Sequence, residues 1–270
     1  MPDGRLALVS ALLLVGCAVA GWVFAPALRG PDAARRDLGT HRLALAALVV
    51  VFLANGLLTL PLAPFLRAAG AMTTSTFVIA ALATQVPMLL VIYFRLIAPR
   101  AVSWRELGLR PLPLNRVFVV GVLTGLGGLA LTILVDSALS QVGLRQNQLE
   151  QYRFIRGSGL GSFLVVLAIG AIGAPCVEEL FFRGFLFGLY RRRQPLWVAY
   201  LAAGLVFAVL HLDPTSMDAT QMAGLGVGIF TLGTLLAWTY QRTGSLFPGM
   251  VAHAVNNAVG LIAFYAAGAS

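Results

Sequence analysis

The chain has 270 residues, 59% of them hydrophobic and only 11% charged. A soluble domain carries about 25% charged residues, so a water-facing globule, a disordered chain and a disulfide scaffold are all excluded. Nineteen bases, every one an arginine, oppose ten acids for a net charge of +9, but they lie in short runs between apolar stretches. There they read as topology signals and anionic-lipid contacts rather than a nucleic-acid surface.

Runs of about 20 mostly apolar residues predict eight spans, at 6–27, 43–66, 76–98, 117–139, 161–190, 196–212, 220–241 and 246–267. The expected fold is therefore all-α, a polytopic membrane protein of about eight transmembrane helices with its active site inside the bundle. N-terminal helices and cytoplasmic loops fill 1–115, and the core that carries chemistry fills 116–270. In the first span, Leu14-Val15-Gly16-Cys17 resembles a lipoprotein cleavage site. The apolar run continues to Ala27, however, so a spanning helix is the better reading than a lipidated Cys17. Cys17 and Cys176 each read as a small buried hydrophobe.

Polar punctuation separates the spans. Gly30 to Arg42 is a Pro/Asp/Arg loop, and Pro99 to Arg116 is a longer one containing Trp104-Arg105-Glu106-Leu107-Gly108-Leu109. Gln141 to Ser158 mixes polar residues with Leu149, Tyr152, Phe154 and Ile155, a pattern suited to the membrane surface. Arg156 to Ser162 is a glycine-rich linker, and no internal repeat is present.

The loops after spans one, three, five and seven hold 4, 5, 3 and 1 arginines, with Arg95 at the end of span three counted with its loop. The opposite side holds Arg5, Arg67, Arg145, Arg153 and Arg156, and Arg183 lies within a span. The positive-inside rule then puts both termini outside the cytoplasm. The absence of lysine beside abundant Ala, Gly and Arg fits a GC-rich genome, and the expected location is the inner (plasma) membrane of a bacterium.

Ionisable groups are costly in lipid, from about 2.5 to more than 10 kcal/mol each, so those inside spans are informative. Span five contains Glu178-Glu179-Leu180-Phe181-Phe182-Arg183, span six ends in Phe207-Ala208-Val209-Leu210-His211, and span eight contains His253-Ala254-Val255-Asn256-Asn257. Glu179 and Arg183 are four apart and share a helix face, where they neutralise one another. Glu178 is turned about 100° away, which leaves one carboxyl committed to structure and one free to take a proton from water. His253 and Asn257 are again four apart, both able to donate to a developing oxyanion, and His211 is placed to orient or share a water with Glu178. At about 1.5 Å per residue, Glu178, His211, His253 and Asn257 lie about 18, 23, 10 and 17 Å from the arginine-rich ends, so they meet at one level. Gly170, Gly173 and Ala174 permit close helix approach, and Pro175 frees a backbone carbonyl just before the acids. Asp136, near the end of span four, is expected to face an interfacial or polar cavity, and Asp213 and Asp218 read as loop residues, with Asp213 a candidate support for His211.

These motifs, Glu178-Glu179-x-x-x-Arg183, Phe207-x-x-x-His211 and His253-x-x-x-Asn257, resemble the CPBP family of intramembrane proteases, also called type II CAAX endopeptidases or the Abi family. The resemblance covers about 160–260, with Leu107-Gly108-Leu109 similar to the region ahead of the family's core. It implies an intramembrane endopeptidase acting on membrane-associated, prenylated or CAAX-like substrates, either membrane proteins or lipidated peptides. Within it, Glu178 and His211 activate the attacking water, His253 and Asn257 hold the oxyanion, and Glu179 and Arg183 support them. No cofactor is favoured. Zinc held by Glu178, His211 and His253 stays open as the alternative, although the HExxH pairing is absent. Two other classes of function also stay open: a non-catalytic scaffold or bacteriocin-immunity protein, and a proton-coupled transporter. The lipid bilayer is the one certain partner, and the oligomeric state is left open.

Overall fold

The computed structural model describes residues 3–59, 72–144, 148–213 and 217–269. Its long helices are α1 (Asp3–Leu28), α3 (His41–Thr59), α4 (Thr74–Ile97), α5 (Leu114–Gln141), α6 (Leu160–Tyr190), α7 (Leu196–Val209), α8 (Ala219–Thr243) and α9 (Phe247–Ala269), with a short α2 (Pro31–Arg35). No strand occurs among the described residues. The helices α3, α4, α5, α6, α8 and α9 are long and apolar enough to cross a membrane, while α7 is shorter. The protein is a polytopic all-α membrane protein. The end of the second expected span, at 60–66, lies outside the described residues, as do Arg67 and Arg145.

The exposed surface is dominated by leucine, valine and aromatic side chains, the composition of a lipid-facing wall. Cys17 and Cys176 belong to it: both are exposed, which corrects their reading as buried. An apolar span satisfies its surroundings with lipid, so an apolar residue in it need not face protein. One buried cluster joins helices from both halves of the chain, running from Val23 through Val91, Phe182 and Phe207 to Leu246.

The arginine-rich end is tied together by arginines acting on backbone carbonyls, which extends their expected part as topology signals and lipid contacts. Arg95, counted from sequence among the loop arginines, is fully buried in the π-helical last turn of α4. It donates to Ala34 O at 2.9 Å and pairs with Asp37. Arg35 Nε donates to Ala101 O at 3.0 Å, and Arg193 reaches Arg36 O at 2.6 Å. The 103–109 loop folds under the bundle: Leu246 N–H donates to Gly108 O at 2.9 Å, and Tyr240 OH donates to Leu107 O. Gly108 has φ +105°, and a Cβ there would lie 2.6 Å from the Tyr240 ring, so this turn requires glycine. Within it, Ser103 donates two hydrogen bonds to Glu106 and holds that carboxyl below the ordinary carboxylate range.

At the opposite end, the segment after α5 packs its apolar side chains against the bundle. Residues Gln148–Ile155 form a 3₁₀ helix whose apolar side chains insert between helices. Ile155 is fully buried in a cluster with Phe163, Val166, Leu261 and Phe264. The glycine-rich linker that follows is short, because α6 begins at Leu160.

Helices α5 and α9 approach backbone to backbone at small residues, as lipid-embedded helices must when no hydrophobic force drives them together. A Cβ on Gly125 would lie 2.7 Å from Ala252 O, and one on Gly121 would lie 2.5 Å from Val251 Cβ. Gly127, on the same helix, has open space around it. Gly125→Val is therefore expected to splay α5 from α9 and lower the thermal midpoint in detergent, whereas Gly127→Val leaves it nearly unchanged. Equal midpoints for the two variants would refute this packing.

Candidate active site

The site depends first on an irregularity in α6. Pro175 has no N–H and its ring crowds the carbonyl four residues back, so a regular α-helix is broken there. The chain responds with a π-helical segment over Ala168–Gly173, in which Ala174 N–H donates to Ile169 O, five residues back. In that register the next donor, to Gly170 O, would be residue 175, and proline has none. The orphaned Gly170 carbonyl is taken by Asn257 Nδ2 of α9 at 2.9 Å. The carbonyl that Pro175 was expected to free is thus identified, and it anchors one of the motif residues. Gly170 also approaches α9 closely, its Cβ position lying 3.3 Å from Leu261. Gly173 meets no other helix.

A second π-helical stretch, Glu179–Phe187, follows and is buried throughout. Glu179 is fully buried and accepts from Arg183 Nη1 at 2.7 Å, as the four-residue spacing requires. The same oxygen, Oε1, accepts from His253 Nδ1 at 3.1 Å. Arg183 Nη2 also donates to Gly233 O at 3.2 Å, and its guanidinium lies 4.2 Å over the Phe207 ring. Phe207 in turn packs against both imidazoles, at centroid distances of 4.5 Å from His211 and 5.7 Å from His253. The phenylalanine of the second motif is therefore the wedge that spaces the two histidines.

Both rings are held through Nδ1. His253 donates Nδ1–H to the Glu179 carboxylate and presents Nε2 to Glu178, 3.8 Å from its Oε2. His211 donates Nδ1–H to Phe207 O at 2.7 Å, which leaves its Nε2 as a lone-pair acceptor. It stands in the turn just past α7, not within a span as expected. Glu178, His211, His253 and Asn257 all line one chamber of about 260 Å³. Glu179 and Arg183 lie behind it. Asp213 is exposed beside this turn. Among the described residues no three His, Cys, Asp or Glu side chains converge into a metal-binding group.

The chamber has a member that sequence reasoning missed. Tyr152, from the 3₁₀ helix, lines it. Burial and the nearby Glu178 charge push its hydroxyl up to about 12, so it remains an O–H donor throughout the neutral range. A lone aromatic in a polar loop carried no spacing signal. The outer walls come from Met72, Phe77, Ala80 and Ala81 at the start of α4, so the chamber extends inward from the arginine-poor end.

The Pro175–Gly170–Asn257 arrangement makes a double-mutant test. Asn257→Ala leaves a buried carbonyl unpaired and is expected to destabilise the folded protein by about 1 kcal/mol. Pro175→Ala restores a donor to Gly170, so in that background Asn257→Ala costs clearly less. Strictly additive effects in detergent unfolding would refute the link.

The family model described as "Rce1-like: Type II CAAX prenyl endopeptidase Rce1-like" matches residues 160–259, the stretch that carries all three motifs. Neither the curated proteins nor the solved structures compared with the chain hold a significant match to it. The match supports a protease among the hydrolases, embedded in a membrane. Over the stretch it covers, that match supports a CPBP-family protein.

Proposed function

We propose that the protein is an intramembrane endopeptidase that hydrolyses peptide bonds of membrane-associated substrates, CAAX-like tails included, with Glu178 as general base. The observation that carries this reading is the meeting of three separate motifs in one chamber, with the Glu178 carboxylate 3.8 Å from His253 Nε2. Structure alone would require only the compensated Glu179–Arg183 pair.

In this mechanism a water bound between Glu178 and the lone pair of His211 Nε2 attacks the scissile carbonyl carbon. Glu178 takes the water proton as the new C–O bond forms. The negative charge that develops on the carbonyl oxygen is met by groups fixed beforehand: the His253 ring, the second Asn257 N–H and the Tyr152 hydroxyl. As the tetrahedral centre collapses, Glu178 returns its proton to the departing nitrogen, and the C–N bond breaks. Glu179 and Arg183 do not touch the reacting atoms; they position His253. A zinc ion on Glu178, His211 and His253 would supply Lewis-acid activation instead. The absence of an HExxH pairing in the sequence favours the glutamate route.

Orientation follows from the arginine asymmetry. With the arginine-rich end in the cytoplasm, the chamber is entered from the other face of a bacterial plasma membrane.

The test uses purified protein in detergent and a quenched library of prenylated and plain C-terminal peptides. Wild type is expected to cleave, to do so undiminished after chelation, and to lose activity in Glu178→Ala and His253→Ala. Tyr152→Phe is expected to lower kcat about 100-fold, the scale of one oxyanion donor. Loss on chelation with recovery on adding zinc replaces the glutamate mechanism with the metal one. Retained function in a cell assay with Glu178→Ala would instead support the scaffold or immunity reading, and substrate flux in proteoliposomes the transporter.

A further inference from the structure

Behind the catalytic chamber lies a second cavity of about 440 Å³. Tyr152, Ile229, Leu232 and Asn257 line both, so the two chambers share a wall that includes two of the proposed oxyanion donors. The second cavity is different in character. Asp136 of α5, Arg156 of the linker and Asn256 of α9 all line it.

None of these three polar groups is used up by the fold. The Asn256 amide nitrogen is buried and has no hydrogen-bond partner. Arg156 is exposed, with its guanidinium 3.9 Å over the Phe264 ring, a contact that does not occupy its N–H groups. Asp136 and Arg156 line one cavity with no ion pair joining them among the described residues. A half-buried carboxylate, an exposed guanidinium and a buried, orphaned amide donor thus line one cavity.

We propose that this cavity binds the polar peptide segment flanking the scissile bond. The apolar wall of the catalytic chamber, from Met72 to Ala81, then takes the substrate's hydrophobic flank. The inference rests on the protease reading and deepens it by naming the substrate class: a polypeptide whose cleaved bond lies at a junction between apolar and polar sequence. The chemistry is selective. An acyl or prenyl chain in this cavity would leave the buried Asn256 amide without a partner and would lie against the Asp136 carboxylate and the Arg156 guanidinium. An extended peptide offers one carbonyl and one N–H per residue, so its carbonyls accept from Asn256 and Arg156 while its N–H groups donate to Asp136. The shared wall places that segment next to Asn257 and Tyr152, at the reacting carbonyl.

The experiment takes the best-cleaved peptide from the library and trims it stepwise from each end. Wild type is compared with Asp136→Asn and Asn256→Ala. Each substitution is expected to raise KM for the full-length peptide about fivefold with kcat unchanged, the pattern of lost uniform binding. The penalty should vanish once the peptide is trimmed from one end and persist on trimming from the other. Retained turnover of the trimmed peptide also shows that the variants are folded. An unchanged KM, or an equal penalty on full-length and trimmed peptides, overturns the subsite while leaving the protease reading intact. A wild type that cleaves no peptide removes the protease reading and the subsite with it.

Discussion

Glu179 Oε1 is the atom on which the arrangement rests. It accepts from Arg183 on its own helix and from His253 on α9, in a place where neither Glu179 nor Arg183 meets solvent. A lone buried carboxylate or guanidinium would cost several kcal/mol, and removing one partner of such a pair typically costs about 3–5 kcal/mol. The pair is therefore obligate, and the protein extends it into the site. The oxygen that neutralises Arg183 also fixes the orientation of the His253 ring. The compensation is incomplete: Glu179 Oε2 and Arg183 Nε are buried without partners. A packing device would have been better satisfied by a bidentate pair. The offset geometry makes sense if Oε1 is positioned for His253 first and for stability second.

Pro175 exerts a comparable constraint through the backbone. A proline inside a spanning helix is tolerated only when neighbours satisfy the carbonyl it orphans. Here the neighbour is a motif residue, Asn257, so the defect in α6 fixes the depth and rotation of α9. Four residues away on the same face of α9, His253 is fixed by Glu179. Two contacts one helical turn apart set one helix against the other, and both originate in the ten residues Gly170–Glu179 of α6. Phe207 then carries the register to His211 by filling the space between the imidazoles and the Arg183 guanidinium.

The parts of this that sequence reasoning reached are those written in spacing. Apolar run lengths located the helices to within a few residues, because membrane thickness dictates them. The i, i+4 relation predicted the Glu179–Arg183 pair, and proline chemistry predicted a free carbonyl before the acids. The parts it did not reach depend on which residues meet across the bundle. Nothing in the 148–155 segment marks Tyr152 as a neighbour of Glu178, since that contact is set by how a 3₁₀ turn inserts between helices. Arg95 read as a loop charge because its burial depends on Asp37 and Ala34, 58 and 61 residues away. Exposure of Cys17 and Cys176 was misread for a simpler reason: hydrophobicity locates a residue in the membrane but does not say whether it faces protein or lipid.

The bundle is also divided along its axis. At the arginine-rich end, side chains from three connections and from the last turn of α4 hold backbone carbonyls of other segments, through Arg35, Arg95, Arg193 and the Ser245 hydroxyl on Arg110 O. At the other end, the walls of the chambers are the first turns of α4, the 3₁₀ helix and the turn after α7, joined chiefly by apolar and ring contacts such as Phe77 with Tyr152 and Phe154. Directional hydrogen bonds resist separation, whereas apolar contacts within lipid exchange for lipid at little cost. The opening that the proposed peptidase activity requires is therefore expected at the end where the chambers lie. Glu179 is held by Arg183, and His253 by Glu179, within the bundle, independently of those apolar walls.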